Sequence, residues 1–220
     1  MSTPGSKVEG VGKAMRIGVY GGTFDPIHLG HLILAEACRE ACGLDRVWFM
    51  VAGAPPHKLG GRTDANHRVE MARLAVAGHP GFEVSERETQ RPGPHYSVDT
   101  LEAIHRDHPL DDLFFLIGGD SLVDLPQWRE PSRILALASL VVANRPGFEP
   151  PPLVLPGPPG QPARPTRHVA IPPIGISSSD LRRRLLEGRS IRYQVPRAVE
   201  AYIDAHRLYR GLPTGGLTSG

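Results

Sequence analysis

Residues 21 to 31 read Gly-Gly-Thr-Phe-Asp-Pro-Ile-His-Leu-Gly-His, and these residue types at this spacing suit the binding of a polyphosphate. Gly21 and Gly22 carry no side chains, so main-chain amides can come close to a ligand. His28 and His31 are three residues apart, which places both imidazoles on one face of a first helical turn. Gly30 between them removes a side chain that would crowd that face. Two imidazoles beside the positive end of a helix can stabilise negative charge that grows in a transition state. Taken alone, His-x-x-His is better read as a pair of surface histidines capping a helix, and as a zinc pair it lacks a nearby third ligand. The flanking residues favour phosphate. Met15–Tyr20 reads as a short buried strand, and Leu29, Leu32, Ile33, Ala37, Cys38 and Ala41 recur at helical spacing up to Gly43. A glycine-containing loop between a first strand and a first helix, with Pro26 fixing the entry, is where an α/β protein brings bare amides to phosphate.

A second constellation lies near the other end. Ile176-Ser-Ser-Ser-Asp-Leu-Arg182 offers the hydroxyls of Ser177 and Ser179 at a helix start, with Arg182 one turn in. By itself this is an N-cap followed by solvated arginines; beside the first motif it becomes the other wall of a triphosphate site. Asp120 follows the apolar run Leu113–Ile117. A carboxylate at the carboxyl end of a central strand can take ribose hydroxyls, and an aspartate there serves equally as a turn residue. Trp128, after Pro126, can stack on a planar ring for about 1–3 kcal/mol, or simply pack. Lysines occur only at 7, 13 and 58, so Lys58 is a lone mobile charge in the body of the chain, suited to phosphate. Arg145, after a strand end, can meet a phosphate or a structural partner.

The elements that must position these groups alternate. Strands are expected over 16–20, 46–52, 82–85, 113–118, 139–143 and 168–171, and helices over 29–42, 65–77, 98–107, 130–137, 179–187 and 196–206. This alternation implies βαβ units with right-handed crossovers: an α/β fold, a single Rossmann-like, doubly wound parallel sheet with flanking helices. Asp64 and Ser97 are expected N-caps, and Gly78 and Gly188 expected helix-ending residues. Residues 1–14 read as a disordered leader, 15–210 as the domain, and 211–220 as a flexible tail. Within the domain, the Pro- and Gly-rich stretch 146–167 reads as a surface excursion and 53–64 as a mobile flap.

The 220 residues are 40% hydrophobic with a formal charge of +2. That supports one α/β domain with a real core and argues against a nucleic-acid groove. Cys38 and Cys42 have no partner pair for a metal site and read as ordinary thiols. With no membrane-length apolar run and no signal-type h-region, the expected location is the cytoplasm.

These motifs resemble a known family. The first matches the His-x-Gly-His signature of a nucleotidyltransferase superfamily, and 176–182 resembles its Ile-Ser-x-Ser/Thr-x-x-Arg element. Over about residues 15–210 the chain is most similar to bacterial nicotinate-nucleotide adenylyltransferases. Pro55-Pro-His-Lys58, Tyr96-Ser97, Ile117-Gly-Gly-Asp-Ser121, Leu125-Pro-Gln-Trp128 and Asn144-Arg-Pro-Gly147 fall in the same order. The resemblance implies transfer of the adenylyl group of ATP to nicotinate mononucleotide, with magnesium accompanying ATP and no dedicated metal cage. His28, His31 and Arg182 would then serve the triphosphate as catalytic residues. Gly21, Gly22, Thr23 and Phe24 would form its main-chain cradle, with Gly30, Asp120, Ile176, Ser177 and Ser179 completing the ATP site. Lys58, Ser97, Trp128 and Arg145 would hold the acceptor, Trp128 stacking on the pyridine ring. Arg129 departs from the family, where an aromatic commonly follows the tryptophan. The implied partners are ATP and nicotinate mononucleotide, with neither nucleic acid nor membrane, and the sequence is compatible with a homo-oligomer. Rival readings are a different acceptor (nicotinamide mononucleotide, phosphopantetheine or a polyol phosphate), a tRNA-charging fragment, or a non-catalytic nucleotide sensor.

Overall fold

Apolar residues on both faces mark a strand buried between two helix layers, and Asp112–Gly118 is the clearest case. Phe114 and Leu116 enter one core cluster, while Leu113, Phe115 and Ile117 enter the other. The computed structural model describes residues 13–53, 63–144 and 166–210. Its strands are β1 (Arg16–Gly22), β2 (Arg46–Val51), β3 (Phe82–Ser85), β4 (Asp112–Gly118), β5 (Ser139–Asn144) and β6 (Arg167–Ala170). They form one sheet in the order β3-β2-β1-β4-β5-β6, with every pairing parallel.

The helices are α1 (Leu29–Cys42), α2 (Ala65–Val76), α3 (Ser97–Asp107), α4 (Gly119–Asp124), α5 (Pro131–Leu137), α6 (Ser178–Leu186) and α7 (Arg197–Ala205). Their apolar stripes sort them by face. Leu34 and Cys38 of α1, Val69 and Ala72 of α2, Leu181 of α6 and Val199 and Ile203 of α7 pack into one cluster. Leu101 and Ile104 of α3, Leu122 of α4 and Ile134 and Leu135 of α5 pack into the other. The result is the doubly wound architecture read from the alternation. Its strand order reverses between β1 and β4, and the loops leaving their carboxyl ends diverge to open a crevice there.

Local signals explain the boundaries. Asp64 caps α2 by accepting the Asn66 N–H at 2.8 Å. Gly43 ends α1 at φ +59, where a residue with a Cβ would be strained, and the Leu44 N–H closes the turn on the Arg39 carbonyl at 2.9 Å. Ser97, read as a cap, is instead the first residue of α3, and the capping position falls to Tyr96 with no side-chain cap bond. The short α4 and the 3₁₀ turn Leu125–Gln127 carry too few residues to show a helical period. β6 begins at Arg167, inside the stretch read as excursion. Cys38 and Cys42 are free and buried, and burial pushes the Cys38 thiol up to about 12. Among the described residues no helix is long and apolar enough to cross a membrane. The leader up to residue 12, most of the flap (54–62), the excursion up to 165, and the tail lie outside the described residues, and with them Lys58 and Arg145.

Candidate active site

The crevice at the switch point is a cleft of about 1060 Å³, and two walls come from opposite ends of the chain. One wall is the β1–α1 loop, with Gly21, Gly22, Thr23, Asp25, His28, Gly30 and His31. The other is the start of α6, with Ile176, Ser177, Ser179 and Arg182. The two are tied directly. Ser178 Oγ donates to the Pro26 carbonyl at 2.9 Å across 152 residues, and Arg182 Nη1 donates to the Asp25 carbonyl at 2.7 Å across 157. Ser177 caps α6 by accepting the Asp180 N–H at 3.2 Å, while Arg182 Nη2 also lies 3.4 Å from Ser179 Oγ.

The two imidazoles are stacked, with centroids 3.6 Å apart and planes 22° from parallel. His28 sits at the N-cap of α1 and is 6% exposed. Its backbone N–H donates to His31 Nδ1 at 3.1 Å. An Nδ1 that accepts this bond is unprotonated, so in the neutral ring the proton is on Nε2. Burial, and then the neighbouring His28, holds the His31 pKa well below the ordinary 6.5. His31 is therefore a neutral N–H donor at pH 7. Gly30 makes the stack fit: a Cβ there would stand 3.0 Å from His28 Nδ1.

Phe24 follows a different path from its neighbours. Its backbone is left-handed at φ +48, and its ring is 1% exposed. The ring lies edge-on to His31 at 5.1 Å and to Tyr20 at 5.6 Å. It supports the imidazole from beneath and does not line the cleft. Gly22 leaves it room, since a Cβ at that position would stand 2.8 Å from the Phe24 ring.

The far end of the cleft is lined by Ser97, Asp120 and Trp128, with Met50, Ala52, Glu88, His95, Phe115 and Ile117. Asp120 is exposed in the first turn of α4. Trp128 is half-buried, with its ring edge-on to Phe115 at 6.0 Å. Ser97 opens α3, a helix start that no side chain caps. Arg129 does not enter the cleft lining; its guanidinium lies 4.8 Å over the Tyr96 ring and 3.4 Å from Asp99. Glu88 is 9% exposed and accepts the Thr100 hydroxyl at 2.7 Å.

Several residues of this site carry no local sequence signal. Arg68, on α2 and 2% exposed, donates to the carbonyls of Thr23 at 3.0 Å, Ala52 at 2.6 Å, Thr63 at 3.0 Å and Gly53 at 3.4 Å. It therefore pins the β1–α1 loop to the end of β2. Ser178 lies between Ser177 and Ser179, the two serines that the sequence reading selects, and is passed over by it. Asp25 stands inside the first motif, where its neighbours draw the attention. Among the described residues no group of three or more His, Cys, Asp or Glu side chains could hold a metal ion.

The chain is similar to known proteins in both sequence and fold. The cytidylyltransferase-like family matches residues 19–184. A protein named probable nicotinate-nucleotide adenylyltransferase from Thermus thermophilus is 50% identical over 196 residues, 89% of this chain and 100% of the relative. One of the same name from Roseiflexus sp. is 52% identical over 198 residues, 88% of this chain and 98% of the relative. In fold, the chain is similar to Plasmodium falciparum nicotinic acid mononucleotide adenylyltransferase complexed with NaAD. The TM-score is 0.70 at 19% identity, over 89% of this chain and 97% of that one.

Proposed function

The chain belongs to the cytidylyltransferase-like family and, within it, to the nicotinate-nucleotide adenylyltransferases, and from that membership we propose that it transfers the adenylyl group of ATP to nicotinate mononucleotide. The products are nicotinate adenine dinucleotide and pyrophosphate. The observation that carries this reading is the junction of two helix starts, α1 and α6, around one cleft through the Ser178–Pro26 and Arg182–Asp25 bonds. Two such termini with a guanidinium between them suit a polyphosphate.

In the reaction a phosphate oxygen of the mononucleotide attacks the α-phosphorus of ATP. The new O–P bond forms as the bond to the β-phosphate bridge breaks in line, and pyrophosphate leaves with the electron pair. A phosphate monoester loses its second proton near pH 6, so the nucleophile arrives ionised and needs no general base. What the site supplies is orientation and charge stabilisation. In this reading His31 directs its Nε2–H, and Arg182 its guanidinium, at the triphosphate oxygens. His28 and the amides from Gly21 to Thr23 line the same end. Magnesium carried in with ATP would supply neutralisation of the phosphate charge, while His31, His28 and Arg182 hold the triphosphate.

Acceptor selection falls to the other end. Trp128 offers a ring face for the pyridine. The uncapped start of α3 at Ser97 offers main-chain N–H groups and a hydroxyl to a carboxylate, which an amide cannot match in charge. The cytoplasm, where such nucleotides are made, is the location this reading implies.

The test is pyrophosphate release from magnesium ATP with nicotinate mononucleotide, its amide, phosphopantetheine and glycerol phosphate as acceptors. The expected result is a kcat/KM for nicotinate mononucleotide at least about tenfold above the amide, the worth of one charge-assisted contact. Equal use of acid and amide would remove the carboxylate role of the α3 start. Preference for a non-pyridine acceptor would refute the assignment.

A further inference from the structure

The described residues after α7 take no part in the chemistry above, yet they reach the β1–α1 loop. Tyr209 is 184 residues from Asp25 in sequence, and its hydroxyl donates to Asp25 Oδ1 at 2.6 Å. Asp25 is 4% exposed and lines the cleft. Its Oδ2 lies 3.4 Å from the Thr63 N–H, and its main-chain carbonyl accepts Arg182. The next carbonyl, that of Pro26, accepts Ser178, and His28 follows two residues later. A carboxylate beside a triphosphate opposes binding unless donors take up its charge, and Tyr209 gives it the shorter of these two bonds.

The backbone around this contact is costly. Arg207 and Tyr209 are left-handed at φ +50 and +61, and so is Phe24, next to Asp25, at φ +48. L-residues disfavour that region and hold it only where the surroundings impose it. Burial, and then the bond to Asp25, pushes the Tyr209 phenol pKa up, so the hydroxyl stays a donor at any working pH.

We propose that Tyr209 is a positioning residue for ATP: its hydroxyl fixes the Asp25 carboxylate and, through it, the main chain that anchors Arg182 and carries His28 and His31. The proposal rests on reading this end of the cleft as the triphosphate site. The acceptor end is built on β2, α3 and the 3₁₀ turn, whereas the Tyr209 hydroxyl meets Asp25 on the β1–α1 loop.

The test is Tyr209→Phe, which keeps the ring packing and removes one oxygen. Titration of the full chain with a non-hydrolysable ATP analogue and magnesium reads binding without turnover. The expected result is a Kd about tenfold higher than wild type. In steady state kcat falls as well, while the KM for nicotinate mononucleotide stays within about twofold, with a thermal midpoint showing the fold intact. Unchanged analogue binding would overturn the proposal, as would an equal loss for both substrates, which is the mark of general loosening. If the wild type turns over no nicotinate mononucleotide, the acceptor assignment fails, and the analogue Kd alone decides the role of Tyr209.

Discussion

Arg68 is the residue whose loss has the consequence easiest to calculate. Its side chain is 2% exposed, and three of its bonds, to the carbonyls of Ala52, Thr23 and Thr63, span 2.6 to 3.0 Å. Arg68→Met keeps most of the apolar volume and removes every donor. Each of these half-buried carbonyls left without a partner costs about 1 kcal/mol, so the variant should lose about 3 kcal/mol of folding stability. The fourth contact, to Gly53 at 3.4 Å, is too long to add much. For a chain of this size the midpoint should drop by about 6–12 °C. Arg68→Lys can satisfy one or two of the carbonyls and should lie between. Urea unfolding followed by circular dichroism, with slopes compared to exclude a change in the unfolded state, measures the difference. The Thr23 carbonyl belongs to the β1–α1 loop, proposed above to hold the triphosphate, so the surviving folded fraction should also bind ATP more weakly. A loss below about 1 kcal/mol in Arg68→Met would refute the reasoning, because it would mean that water satisfies the carbonyls as well as the guanidinium does.

Three further outcomes are expected. Trp128→Ala should raise the KM for nicotinate mononucleotide by about tenfold or more, the worth of one stacked ring, while leaving the KM for ATP nearly unchanged; equal effects on both in steady-state kinetics would count against stacking. Gly30→Ala puts a Cβ 3.0 Å from His28 Nδ1, so the imidazole must shift; kcat should fall at least about tenfold, with melting almost unaltered, and unchanged kcat would show that the stack is incidental. His31 is held neutral below the ordinary 6.5, so it does not titrate as pH rises from about 6.5 to 8. Wild type and His31→Gln should then share one pH profile of ATP binding there, offset in affinity, and an inflection near 6.5 present only in wild type would refute neutrality. The linkage sign follows. Below 6.5 an unfolded imidazole takes up a proton that the folded one refuses, so this residue's contribution to stability declines as pH falls.

Short-range chemistry was legible in the sequence. Strand and helix spans followed from hydrophobic period, because a residue's neighbours one turn or one pleat away decide which face it shows. Asp64 and Gly43 announced helix ends through interactions that span two to four residues. The two motifs read as phosphate-binding owe that reading to residue type, since a helix start with glycine, histidine or serine presents amides wherever it lies in a fold.

Three-dimensional packing decided the rest. The sequence points to Ser177 and Ser179, yet Ser178 is the serine that bonds to Pro26, because α6, packed into the core through Leu181 and Leu185, turns that residue to the loop. Phe24 read as part of a main-chain cradle, a role that leaves its side chain unspecified, and the fold sets its ring beneath His31 from a left-handed backbone. Which nitrogen of His31 carries the proton depends on one backbone N–H. Arg68 and Tyr209 act on the loop across 45 and 184 residues, and a contact of that separation leaves no period, cap or turn in the chain. The sequence specified which groups could do the chemistry; the packing of α2, α6 and the C-terminal segment against one loop set where each of them stands.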